Sequence, residues 1–149
     1  MEIPKILLNK ANEIEAKLQE KCPDAAPFFK GCFLNTIETT VKELSDGSYF
    51  VITGDIPAMW LRDSAAQVKP YIRYANEDDD LKNILKSIIE KHAFYVCLDP
   101  YSNAFNAEAN PDSAKDETDF YHELIWERKY EVDSLCAPLY LAHEYYETT

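Results

Sequence analysis

Apolar residues recur along this chain at helical spacing, and turn formers divide the pattern into five amphipathic stretches. Within residues 3–21, Ile3, Ile6, Leu7, Ile14 and Leu18 fall on one stripe with charged residues elsewhere, and the run stops before Pro23. Phe28, Phe29, Phe33, Leu34, Ile37, Val41 and Leu44 form a second stripe, which predicts one helix capped by Asp24 and ended by the Asp46-Gly47 turn. Residues 48–53 are rich in β-formers and read as a short extended segment, followed by a break at Gly54-Asp55-Ile56-Pro57. Ala65, Val68 and Ile72 place a third helix over residues 64–75, where Pro70 predicts a kink or a second short helix. Asp78-Asp79-Asp80 supplies an acidic start to a fourth helix, 81–96, with Leu81, Ile84, Leu85, Ile88 and Ile89 as its buried face. Lys91 and His92 lie near its other end, where positive charge is favoured.

Residues 99–118 are polar and aperiodic, and a connection that long inside a domain is commonly functional. Residues 124–130 read as an extended piece or a turn. A last helix over 133–146 carries Leu135, Leu139, Ala142 and Tyr146 as its stripe, and Pro138 requires its start to lie close by. Five helices, one extended piece and two long loops close on themselves in no common small architecture, so the chain is expected to be part of something longer. Arg62-Asp63-Ser64 and Val132-Asp133-Ser134 both open a helix that holds a proline further in, and each follows a loop with a tryptophan, Trp60 or Trp126. An array of helical hairpins would show this, with alternate helices entering from one rim and their first residues facing a shared pocket.

The 149 residues are 46% hydrophobic, enough for a genuine core. A formal charge of -12 excludes polyanions, both nucleic acid and an anionic membrane surface, as natural partners. Cys22, Cys32, Cys97 and Cys136 show no paired spacing and are expected to be buried free thiols in a reducing compartment. The first residues lack the basic and apolar regions of a signal peptide, and no segment is long enough to span a bilayer, so a cytoplasmic location is the expectation.

The chemistry concentrates between Thr53 and Ser64. Asp-Ser at a helix start is ordinary capping, which accounts for the pair about as often as any ligand does. Arg62 and Trp60 add what capping does not need: a guanidinium beside a carboxylate can hold vicinal hydroxyls, and an indole face can cover the apolar side of a sugar ring. Phosphate is disfavoured because only three glycines occur and no glycine-rich loop forms. His92, His122 and His143 have no metal-ligand spacing and read as surface or helix-end residues. Asp55, Asp63, Glu123, Glu127, Glu131 and Asp133 all lie in or beside loops that precede helices, and most of them would serve as solvated charges or caps.

The strings TGDIPAMWLRDSAAQVKPY (Thr53 to Tyr71), YSNAFN (Tyr101 to Asn106) and WERKYEVDSLCAPLYLA (Trp126 to Ala142) resemble the N-terminal third of glycoside hydrolase family 125, the metal-independent exo-α-1,6-mannosidases. The resemblance implies an all-α fold, part of an (α/α)6 barrel, with residues 1–149 as one incomplete domain; twelve helices with their loops need at least ~250 residues. It implies an inverting hydrolase with no cofactor and no metal, whose aspartate acid and glutamate base both lie later in the family's sequence, so that no catalytic residue falls in this chain. Trp60, Arg62 and Asp63, with Asp55, Asn106, Glu131 and Asp133, match positions that line or brace the terminal-mannose subsite. A mannose-containing oligosaccharide and the missing C-terminal part of the same barrel are the implied partners. Ala137 departs from the pattern, which has a larger, aromatic residue before the proline. The alternative is a non-catalytic carbohydrate-binding or interaction module derived from the same barrel.

Overall fold

A computed structural model describes residues 2–111 and 120–149, so the end of the long polar loop lies outside the described residues. Helices dominate, joined by strands of three residues each. α1 (Lys5–Lys21) buries Leu7 and Ala11 and packs on α2 (Ala26–Asn35).

The second helix is shorter than its apolar stripe suggests. Ala25 stands at its N-cap with no side-chain bond, so Asp24 does not cap it. After Asn35 the backbone widens into a π turn, Thr36–Thr40, and Val41 begins a strand. The Thr39 and Thr40 hydroxyls each donate back to a carbonyl four residues earlier, Asn35 and Thr36, at 2.7 Å. Such back-bonding weakens the helical ladder, and the β-branched run favours extension. β1 (Val41–Glu43) then pairs antiparallel with β2 (Tyr49–Val51) across a turn in which Gly47 has φ 77°.

A second sheet takes in the stretch 124–130, read as extended or a turn, and two segments that the pattern does not mark. β3 (Ala58–Trp60), β4 (Ala104–Asn106) and β5 (Ile125–Glu127) form an antiparallel sheet in that order, with Trp60 opposite Ala104 and Ala104 opposite Glu127. Its central Phe105 is fully buried and stacks on Tyr95 with ring centroids 4.4 Å apart. The Tyr95 hydroxyl also donates to the Asn106 carbonyl at 2.7 Å, which ties the sheet to the fourth helix.

α3 (Leu61–Ile72) follows β3 directly, so Asp63 lies inside its first turn rather than before it. Pro70 lies inside this helix, which continues through it to Ile72 with no second helix begun there. In α4 (Asp79–Leu98) the Asp78 side chain caps as the acidic run suggests: Oδ1 accepts the Leu81 N–H at 2.9 Å. Oδ2 accepts the Ile6 N–H at 3.3 Å, so one carboxylate joins the starts of α1 and α4. Asp78→Ala is expected to cost about 1–2 kcal/mol, measured as a lower urea midpoint with an unchanged slope.

α5 (Val132–Thr148) runs parallel to α3 and packs on it. Arg62 meets Asp133 and Lys69 meets Tyr140, both pairs 71 residues apart, so the two helices keep one register over two turns. The stripe expected to be buried on α5 is not: Leu139 is 71% and Tyr146 79% exposed, while Ser134, Pro138 and Leu141 face the core. α5 carries apolar residues on two faces, and α3 and α4 cover only one of them. Pro138 lies in the helix interior, beyond the first turn where it would be best tolerated.

The four cysteines are free as expected but exposed rather than buried, because Cys32, Cys97 and Cys136 lie on outward helix faces and Cys22 just past the end of α1. His92, expected at the surface, is completely buried in the contact between α4 and α3. No helix among the described residues is long and apolar enough to cross a membrane.

Candidate functional site

The loop from Thr53 to Ala58 is held by its own ends. Thr53 N–H and Oγ1 both donate to the Ala58 carbonyl, at 3.0 and 3.1 Å, and Oγ1 accepts the Trp60 N–H at 3.0 Å. Gly54, at φ 86°, makes the turn that a side-chain-bearing residue would resist. The closed loop and the first turns of α3 surround an open recess of about 510 Å³, lined by Thr53, Gly54, Asp55, Ile56, Trp60, Arg62, Asp63 and Gln67.

The indole of Trp60 is fixed from β5, two strands away across the sheet. Its Nε1–H donates to Glu127 Oε2 at 3.3 Å, and the same oxygen accepts Asn103 Nδ2 at 2.6 Å. Asn103 Oδ1 in turn accepts the Lys129 N–H at 3.2 Å. A ring held this way presents a constant face to whatever enters the recess.

Arg62 gathers the carboxylates. Nη1 lies 2.8 Å from Asp133 Oδ2 and 3.6 Å from Glu131 Oε2, and Nη2 lies 3.5 Å from Asp63 Oδ2. Glu131 Oε2 also accepts the Ser134 hydroxyl at 2.9 Å. The hydrogen bond from Arg62 holds the Asp133 carboxyl below its ordinary value, and that same bond raises the guanidinium further. The two Asp-Ser helix starts that recur in the sequence are therefore joined in space by one arginine.

Ser64, behind this cluster, is fully buried and anchors the turn. Its hydroxyl lies 2.7 Å from the Trp60 carbonyl and 2.7 Å from His92 Nε2. The hydroxyl has one hydrogen, and a close oxygen–oxygen contact needs it, so Ser64 donates to Trp60 and the neutral imidazole donates to Ser64. His92 Nδ1 is then an acceptor with no partner.

Of the residues singled out from sequence, Asp55, Trp60, Arg62 and Asp63 meet in the recess, and Glu131 and Asp133 brace Arg62 from α5. Asn106 is at the far end of β3 and β4 from Trp60, buried, with its amide donating to the Glu123 carbonyl at 2.9 Å. Asn103 and Gln67 lie outside the residues the sequence singles out, and Thr53 only bounds the stretch it marks. Gln67 had a signal, since it lies four residues after Asp63 and so shares its helix face. Among the described residues no three histidine, cysteine, aspartate or glutamate side chains group as metal ligands.

Comparison with known proteins identifies the family. The family model of metal-independent α-mannosidases, glycoside hydrolase family 125, matches residues 22–149. A solved α-mannosidase structure from Streptococcus pneumoniae, a non-productive complex with α-1,6-mannobiose, superposes with a TM-score of 0.88 at 42% identity, covering 97% of this chain and 34% of that one. The meiotically up-regulated gene 157 protein of Schizosaccharomyces pombe is 34% identical over 144 residues, 89% of this chain and 28% of its own length. This chain thus spans about a third, or less, of the relatives it matches. With a family match over most of its length, the chain belongs to glycoside hydrolase family 125, the metal-independent α-mannosidases.

Proposed function

We propose that this chain forms one wall of the terminal-mannose subsite of an inverting exo-α-1,6-mannosidase, as the first helices of an (α/α)6 barrel, with residues 1–149 as one incomplete domain. The observation that carries the proposal is the pairing of α3 and α5: two parallel helices whose starts share Arg62 and whose rim holds a braced indole beside an open recess. A sugar ring stacks on such an indole, and its hydroxyls find the Asp55 and Asp63 carboxylates as acceptors. The α-1,6-mannobiose in the pneumococcal structure supports the linkage.

Inversion requires a carboxylic acid to protonate the leaving oxygen and a second carboxylate, about 6.5–9.5 Å away, to activate water. Asp133, held in its charged form by Arg62, is the opposite of a proton donor. The acid and the base belong to the remaining length of these enzymes, so this chain binds mannosides without cleaving them. The expected result is no release of mannose from α-1,6-mannobiose by the purified chain over days, followed by chromatography; turnover would overturn the division of labour.

A further inference from the structure

We infer that Tyr101 and Tyr130 form an aromatic shelf beside the recess that stacks on a sugar further along the same glycan, an inference that rests on the proposed mannose wall. The two rings lie with centroids 5.8 Å apart at 48°, and the residues are 55% and 60% exposed. Single exposed aromatics are ordinary, but these two are held in place. The Tyr101 N–H donates to Asp99 Oδ1 at 3.2 Å, and the buried Asp99 accepts Arg128 Nε at 2.8 Å through Oδ2. The Arg128 guanidinium carbon then lies 5.3 Å from the Tyr101 ring centroid and 5.2 Å from that of Phe120. Tyr130 stands between Lys129, whose N–H donates to Asn103, and Glu131, which lies 3.6 Å from Arg62. Asn103 shares the Glu127 carboxylate with the Trp60 indole, so the shelf adjoins the recess on both its segments. The chemistry of the shelf selects its occupant. A cation would meet Arg128, already placed against the Tyr101 ring. An anion would find that guanidinium paired with Asp99, in a chain of formal charge -12. A neutral ring with C–H bonds on its face and hydroxyls at its edge suits both the tyrosine faces and their hydroxyls, and a pyranose is such a ring.

The chain holds two tryptophans, so the Trp60 indole N–H gives one of two indole signals and serves as an NMR probe of the recess. The full chain is titrated with methyl α-mannoside and with α-1,6-linked mannose di-, tri- and tetrasaccharides. Lengthening the glycan is expected to tighten binding about three- to tenfold at one step, the worth of one stacked ring. Tyr130→Ala and Tyr101→Ala should each remove that step, leaving the longer glycans no tighter than the shorter ones. They change two exposed side chains independently, so one decides if the other fails to fold. Tyr130→Phe keeps the ring and should keep the step; its loss there would assign the gain to the hydroxyl and overturn stacking. A wild-type chain that binds methyl α-mannoside with no gain on lengthening, or alanine variants that keep the gain, overturns the shelf alone. A wild-type chain that binds none of the mannosides overturns the mannose wall and the shelf together.

Discussion

Acidification from pH 7 towards pH 3 is expected to destabilise this protein by on the order of 4 kcal/mol through His92 alone. Complete burial pushes the imidazole from its ordinary 6.5 down to about 3. The unfolded chain takes up a proton below 6.5, while the folded chain resists it until about 3. Stability from this group is therefore complete above 6.5, falls by about 1.4 kcal/mol per pH unit below it, and levels off under 3. The local cause is visible: protonation would put an N–H on Nδ1, which has no acceptor, in a site with no exposure. Urea unfolding followed by tryptophan fluorescence across this range measures the slope. His92→Gln can still donate to Ser64 and does not titrate, so its slope should vanish above pH 4. The carboxylates act lower. Burial pushes Asp99 up, but hydrogen bonds from Ser102 and Arg128 outweigh it and hold the carboxyl below 3.8, so its contribution is lost only as pH falls further. A wild-type profile flat between pH 6.5 and 4 would show that His92 is not buried as the neutral form.

That histidine also marks where sequence reasoning stops. A polar residue near the end of a helix is compatible with solvent or with a buried partner, and only the packing of α4 on α3 selects Ser64 for it. The start and the buried face of α4 were legible, because the acidic cap and the apolar stripe agree, but the helix runs on to Leu98, so Lys91 and His92 lie short of its last turn rather than at the end that favours positive charge. α2 was not, since Val41 and Leu44 continue a helical spacing while Thr39 and Thr40 bond out of the helix. On α5 periodicity is satisfied twice, by the face at Pro138 and Leu141 and by the face at Leu139 and Tyr146; spacing cannot say which one has a neighbour. The recess divides the same way. Trp60, Arg62 and Asp63 stand within four residues, and the repeated Asp-Ser pointed to α5. Glu127 and Asn103 reach Trp60 only through strands of three residues, too short for alternation to announce them.

Arg62→Ala is expected to abolish the response of the Trp60 indole to methyl α-mannoside while leaving the unfolding midpoint nearly unchanged. The two effects separate because the guanidinium is 46% exposed, where ion pairs add little to stability, yet among the described residues it alone joins Asp63 to Glu131 and Asp133 around one charge. Without it Asp63, Glu131 and Asp133 repel one another at the mouth of the recess. Asp133, freed from the Arg62 hydrogen bond, should titrate closer to its ordinary 3.8, which carboxyl carbon NMR reads directly. Arg62→Lys restores a charge but not the planar fork that reaches α3 and α5 together, so it should recover the Asp133 titration more than the mannoside response. Arg62→Ala that binds as the wild type does would move the sugar away from this wall. A large fall in its unfolding midpoint would instead make Arg62 a clamp between helices, because the register of α3 on α5 would then depend on it rather than on the buried faces at Ser64, Val68, Ser134, Pro138 and Leu141.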